Sequence, residues 1–284
     1  MFLCAAERFR NLLKAQGVLL TFRHNFEIFF IGQFFNFVLP GGVGGDAVKA
    51  FYIHKDVGEL AETSPYTVLF DRLIGFFVLS SMAVLVVIFH WSQFQMRPQL
   101  RVLSYIVIGE FSTLTLIMAI GYFRRSRELL LRLAPKRLNH LHNFTSKIVK
   151  SFEFYAANPK YVLLGLVWGI CMQTFCVLAL AAVGAAVHIE SVPLSAYFFI
   201  GPLGFMLASL PISPGGIGVG QAGFYFFFNA YLGHHSSLGP IAITVVQIIT
   251  LAWSMIGLYF YIARRGGKAK PLTTSPQSQK NLSV

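Results

Sequence analysis

The apolar positions of this chain fall in long runs separated by short polar stretches. Four runs, over 68–91, 102–123, 161–189 and 241–263, are long enough to cross a bilayer, which takes about 20 residues. Two others are too short. The run from Phe26 to Val38 stops at Pro40 and a glycine cluster, then resumes from Ala47 to His54. The run from Ala196 to Leu210 stops at a second proline–glycine cluster and resumes from Gly220 to Leu232. Runs that break and resume in this way predict re-entrant hairpins over 26–54 and 196–232. Such backbone is tolerated at membrane depth only inside protein or beside a wet cavity. The expected fold class is all-α. It is a polytopic integral membrane protein with two inverted re-entrant, broken-helix hairpins in a single transmembrane domain, 1–263.

The polar segments differ from one another. Residues 124–160 are basic, and Phe144, Ile148, Val149, Phe152 and Tyr155 recur at helical spacing. That pattern predicts an amphipathic helix on the membrane surface. Residues 1–16 contain Glu7, Arg8, Arg10 and Lys14 and no sustained apolar stretch. They read as an interfacial amphipathic start and not as a cleavable signal. The stretch 264–284 is basic, then rich in Ser, Gln and Pro, and is expected to be a disordered cytoplasmic tail.

Composition agrees with a membrane protein. Charged residues make up 12% of the 284 positions, against about 25% in soluble domains. The formal net charge of +12 sits on residues flanking apolar runs. The implied partner is therefore an anionic membrane surface, not nucleic acid. Lys and Arg also set the orientation. Residues 1–55 hold six, 124–160 nine and the stretch from Arg264 five, while 92–101, 190–195 and 233–240 hold two, none and none. The first group is expected on the cytoplasmic side, with the C-terminus cytoplasmic. The first hairpin then enters from the cytoplasm and the second from outside.

The two breaks also resemble each other. Residues 39–51 read LPGGVGGDAVKAF, and 210–225 read LPISPGGIGVGQAGFY. Matching glycine–proline breaks in two halves of a membrane protein point to a binding site near the midplane. Gly41, Gly42, Gly44 and Gly45 in the first, with Pro214, Gly215, Gly216, Gly218 and Gly220 in the second, form tight turns that open helices. Such turns present N–H donors and a positive dipole end to an anion such as phosphate. The bland alternative is close helix packing. Asp46 and Lys49 follow the first break on one helical face, and Asp71 and Arg72 begin the next span. Charges at such depth pair or face a cavity. These four are expected to form one network in which Arg72 grips a phosphate bidentately. The alternative is a purely structural ion-pair cluster. Gln221 stands where Asp46 does and either bonds within the cavity or caps its half-helix. Glu110, inside a span, is a proton-coupling carboxylate or a neutral acid bonded to a neighbour.

Other chemistries find no support. Gly218 to Gly223 matches G-x-G-x-x-G, but no βαβ pattern surrounds it and no acid follows, as a dinucleotide site requires. Gly45 is followed by Asp46, not by the Lys of a phosphate-binding loop. Cys4, Cys171 and Cys176 lack metal-site spacing, and no nucleophile–base set stands out. No cofactor, no metal and no enzymatic activity are expected.

Phe35–Lys49, then Leu69-Phe-Asp-Arg-Leu-Ile-Gly75, then Pro211–Ala222 resemble the lysylphosphatidylglycerol synthase transmembrane-region family. The likeness runs from about residue 8 to 265. It implies a bacterial or archaeal, multi-pass cell inner membrane protein of flippase-like type. In fused members this region is associated with moving aminoacylated phosphatidylglycerol between leaflets, and a separate soluble domain makes the lipid. That soluble domain has no counterpart here. Members often carry one or two more spans before the first motif, so the chain reads as an N-terminally truncated or late-start version. They commonly carry an acid where Val219-Gly-Gln221 stands.

The expected function is translocation of a phospholipid or lipid-linked substrate, anionic or aminoacylated. Its phosphate would sit between the glycine turns, with the acyl chains left in the bilayer. The alternative is a non-transporting membrane subunit that docks a cytosolic lipid-modifying or glycosyltransferase enzyme.

Overall fold

The computed structural model describes residues 1–39, 44–58, 64–133, 149, 151–187 and 192–265. Among them there is no strand. The helices are α1 (Phe2–Ala15), α2 (Phe22–Val38), α3 (Gly44–Val57), α4 (Ser64–Phe89), α5 (Trp91–Met96), α6 (Pro98–Tyr122), α7 (Arg124–Leu133), α8 (Pro159–Val187), α9 (Leu194–Ala208), α10 (Val219–Leu232) and α11 (Leu238–Arg265). A 3-10 turn, Pro214–Gly216, lies between α9 and α10. Helical residues 151–157 precede α8. Residues Tyr66–Phe89 of α4, with α6, α8 and α11, are long and apolar enough to cross a membrane. The molecule is an all-α, multi-pass membrane protein.

Both breaks fold as antiparallel helix pairs. In the first, Gly32 lies beside Gly45 and Lys49, and Asn36 beside Gly45. Near the other end, His24 meets Asp56. In the second, Gly204 lies beside Phe224 and Gly223 beside Leu207, while Tyr197 meets Phe228. The termini of these helices follow local chemistry. Thr21 caps α2 by accepting from the His24 N–H. Leu39, which precedes Pro40, is extended at φ −88°, ψ 138°, because a following proline disfavours the helical region. Gly218 opens α10 at φ 84°, a left-handed backbone that suits glycine, and the Gln221 side chain accepts from its N–H at 2.6 Å.

The pairs open to opposite faces, and α11 joins those faces. Its last turn places Arg264 against His24 and Asp56 at the open end of the α2–α3 pair. Its start adjoins the other open end. The Leu238 N–H donates to Ser236, whose own N–H donates to Asn229 of α10. Arg97, at the start of α6, donates to the Tyr231 carbonyl at that same end.

Two expectations change here. Residues 1–16 do not form a free amphipathic surface helix. α1 buries Ala6, Phe9, Leu12 and Leu13 almost completely. It lies along α8, where Gly165 and Gly169 leave room for Leu12 and the Arg8 stem. Small residues four apart permit that approach. The apolar face of 149–157 also turns inward. Val149 and Tyr155 are buried, and the Tyr155 ring stacks on Phe70 of α4 at 3.7 Å. Phe144, Ile148 and the stretch 266–284 lie outside the described residues.

Candidate functional site

The closed ends of the two hairpins meet inside the molecule. A Cβ on Gly215 would strike Phe37, the penultimate residue of α2. A cavity of about 300 Å³ lies at this junction. Its lining includes Gln33 and Asn36 of α2, Arg72 of α4, Gly215 and Gly216 of the 3-10 turn, and Gln247 of α11. Phe29, Phe37, Met172 and Phe205 supply apolar wall. An apolar chamber with a few convergent polar groups is the usual form of a small-ligand site.

One wall carries charge. Asp46 accepts from Lys49 Nζ at 2.9 Å and from Arg72 Nε. Asp46 and Lys49 are buried. The Lys49 ammonium also lies 5.6 Å and 5.1 Å from the ring centroids of Phe9 and Phe29, a cation–π arrangement worth more when water is excluded. Gly45 makes this packing possible. A Cβ there would run into the Gly32 carbonyl, so α2 and α3 touch closely enough for Lys49 to lie over Gly32. The Gly45 N–H donates to Asn36 Oδ1 at 3.1 Å. Arg72 is the member of the trio that lines the cavity, and its Nη1 lies 3.5 Å from the Ser209 carbonyl. Two cations share one carboxylate, so the cluster carries one net positive charge.

Asp71 does not join this network. It accepts from Arg8 Nε at 2.7 Å and Nη2 at 3.0 Å in a buried, two-pronged pair. Successive helical positions diverge by about 100°, so Asp71 and its neighbour Arg72 cannot face the same partner. Arg8 was not among the sequence candidates, because the pattern of 1–16 reads as a surface helix.

The second turn also differs from expectation. The N–H groups of Gly216 and Ile217 donate to Ser213 and Pro214, and that of Gly218 to Gln221. These donors are used inside the turn and do not point at an anion. Gly220 instead packs on Ala208 and Gln247, and Pro214 starts the 3-10 turn. Gln221 both caps its helix and extends outward. Its Nε2 donates to Thr244 at 3.1 Å and Gln247 at 2.7 Å, and Gln247 donates to the Gly215 carbonyl at 3.2 Å. Gly44 packs on Leu39 in the first turn, while Gly41 and Gly42 lie outside the described residues. The cavity's amide groups, Gln33, Asn36 and Gln247, were not singled out from sequence. A signal existed: Thr244, Gln247 and Thr250 recur every three residues within an apolar span. No group of three or more His, Cys, Asp or Glu suited to a metal occurs among the described residues.

No curated protein and no solved structure matches the chain significantly. The family model described as lysylphosphatidylglycerol synthase TM region matches residues 1–257. That family describes a membrane domain linked to lipid metabolism or translocation, and not a catalytic one. By that match, and with the four apolar spans the fold provides, the chain belongs to the lysylphosphatidylglycerol synthase transmembrane-region family.

Proposed function

We propose that this protein translocates a phospholipid, anionic or aminoacylated, between leaflets. The observation that carries the reading is the cavity at the meeting point of two oppositely opening hairpins, with Arg72 in its wall and Asp46 and Lys49 behind it. A site between inverted elements is where alternating access operates by rocking one element against the other. The net positive cluster suits a phosphate, and guanidinium binds phosphate through paired N–H donors. The amides of Gln33, Asn36 and Gln247 offer both donors and acceptors to the remainder of a headgroup. Asp46 holds Arg72 in place. The face bearing His24, Asp56 and Arg264 is the cytoplasmic side of the cell inner membrane in this reading.

The test uses purified protein in phosphatidylglycerol-containing vesicles, with a fluorescent lipid whose outer-leaflet fraction is quenched by dithionite. Loss of a charge-assisted hydrogen bond costs about 1.5–3 kcal/mol, or roughly ten- to hundredfold in rate. Arg72→Gln is expected to slow translocation by that factor. An unchanged rate removes Arg72 from the mechanism. No translocation by the wild type in any lipid removes transport and leaves the enzyme-docking subunit, recognisable by capture of a cytosolic lipid-modifying enzyme.

A further inference from the structure

Arg72 belongs to two hollows. It lines the polar cavity described above. It also lines a groove of about 320 Å³, together with Leu69, Leu73 and Phe76 of α4, Ile117 of α6 and Phe152. Ser151 lies at its polar margin. An arginine can line both because its methylene stem is apolar while its head is charged. The groove runs along two helices that cross the membrane. Leu69 is 49% exposed and Ile117 43% exposed, so the groove faces lipid tails.

A groove of this kind gives little affinity by itself, because lipid tails are as apolar as leucine. Its use is positional. A molecule that fills both hollows must carry an anionic group within a few bonds of a hydrocarbon chain, and the net charge of the Asp46–Lys49–Arg72 cluster selects the anion. We propose that one acyl chain of a glycerophospholipid lies in the α4–α6 groove while its phosphate meets Arg72. The lipid then enters sideways from its leaflet, past Leu69 and Ile117, and one chain stays on the protein instead of in bulk lipid. This rests on Arg72 being the headgroup residue of the proposed function.

The experiment uses phosphatidylglycerol with a photoactivatable diazirine at mid-chain, in phosphatidylcholine vesicles containing the full chain. After irradiation, adducts are mapped by mass spectrometry. Diacylglycerol with the same diazirine chain is the control without phosphate. Adducts are expected to concentrate on 69–76 and Ile117 relative to the exposed Ile248 and Ile249 of α11. Arg72→Gln is expected to lower the groove adducts about tenfold, the size of a lost charge-assisted contact, to the diacylglycerol level. Leu73→Trp fills the groove without touching the charges and is expected to exclude the chain while leaving the fold intact. Adducts spread evenly over all exposed helices, or groove adducts unchanged by both variants, overturn the proposal. Groove labelling with no translocation would instead retire the transport reading and keep the groove. Translocation without groove labelling does the reverse.

Discussion

Neighbouring residues in α4 serve different ends. Arg72 reaches Asp46 and the cavity, whereas Asp71 is spent on Arg8. The Arg8–Asp71 pair is buried and satisfies both carboxylate oxygens. Breaking such a pair by removing one charge typically costs 3–5 kcal/mol, while replacing both partners with apolar residues of similar volume is often neutral. Asp71→Asn is therefore expected to lower the thermal midpoint of the detergent-solubilised protein sharply, and Arg8→Met with Asp71→Leu to restore most of it. Equal stability of Asp71→Asn and wild type would show that the pair anchors nothing. Asp71 was grouped with Arg72 from sequence because they are adjacent. Only the direction of each side chain around the helix separates them.

Among the elements, the open end of the α2–α3 pair is clasped to α11. His24 Nε2 lies 2.7 Å from Asp56, Arg264 Nη1 lies 2.9 Å from the same carboxylate, and Arg264 Nη2 lies 3.0 Å from His24 Nδ1. Glu27 adds a longer contact to Arg264 at 3.4 Å. Burial pushes the Asp56 carboxyl up, but the hydrogen bonds from His24 and Arg264 outweigh it and hold the group below its usual range. A carboxylate depressed in the folded state stabilises it fully above the unfolded pKa, about 3.9. That stabilisation is lost as pH falls through the folded value. The gap in thermal midpoint between wild type and Asp56→Asn is thus expected to persist down to about pH 4 and to close below it. A gap that stays constant to pH 3 would show that the clasp does not depend on the Asp56 charge.

For the whole molecule, opposite openings of the hairpins make a topological statement. The face carrying Lys55 and Arg264 and the face carrying Gly233 and His234 are expected on different sides of the membrane. In a variant with Cys4, Cys171 and Cys176 replaced by alanine, a cysteine at Lys55 is expected to resist an impermeant maleimide in intact cells and react after permeabilisation. A cysteine at His234 is expected to react in both. Identical behaviour at the two positions would refute the inverted arrangement.

Period and run length in the sequence were enough for the all-α class and the four spans, because each is set locally by how many apolar residues follow one another, while the family was legible in the motifs at 35–49, 69–75 and 211–222. The glycine breaks were equally legible, since Pro40 and Gly215 act on their own backbone. Arg72 could be named because a charge in an apolar run is conspicuous. What the tertiary structure decided was partnership. α1 is buried because Gly165 and Gly169, some 150 positions later, leave room for it. The second turn spends its donors inside itself, because Gln221 Oε1 and the carbonyls of Ser213 and Pro214 accept from them. The cavity itself exists only where the two hairpins, α4 and α11, from distant parts of the chain, bring Asn36, Arg72, Gly215 and Gln247 to one place. Local patterns fix which helices form, but which faces meet depends on packing between segments that no window of sequence contains.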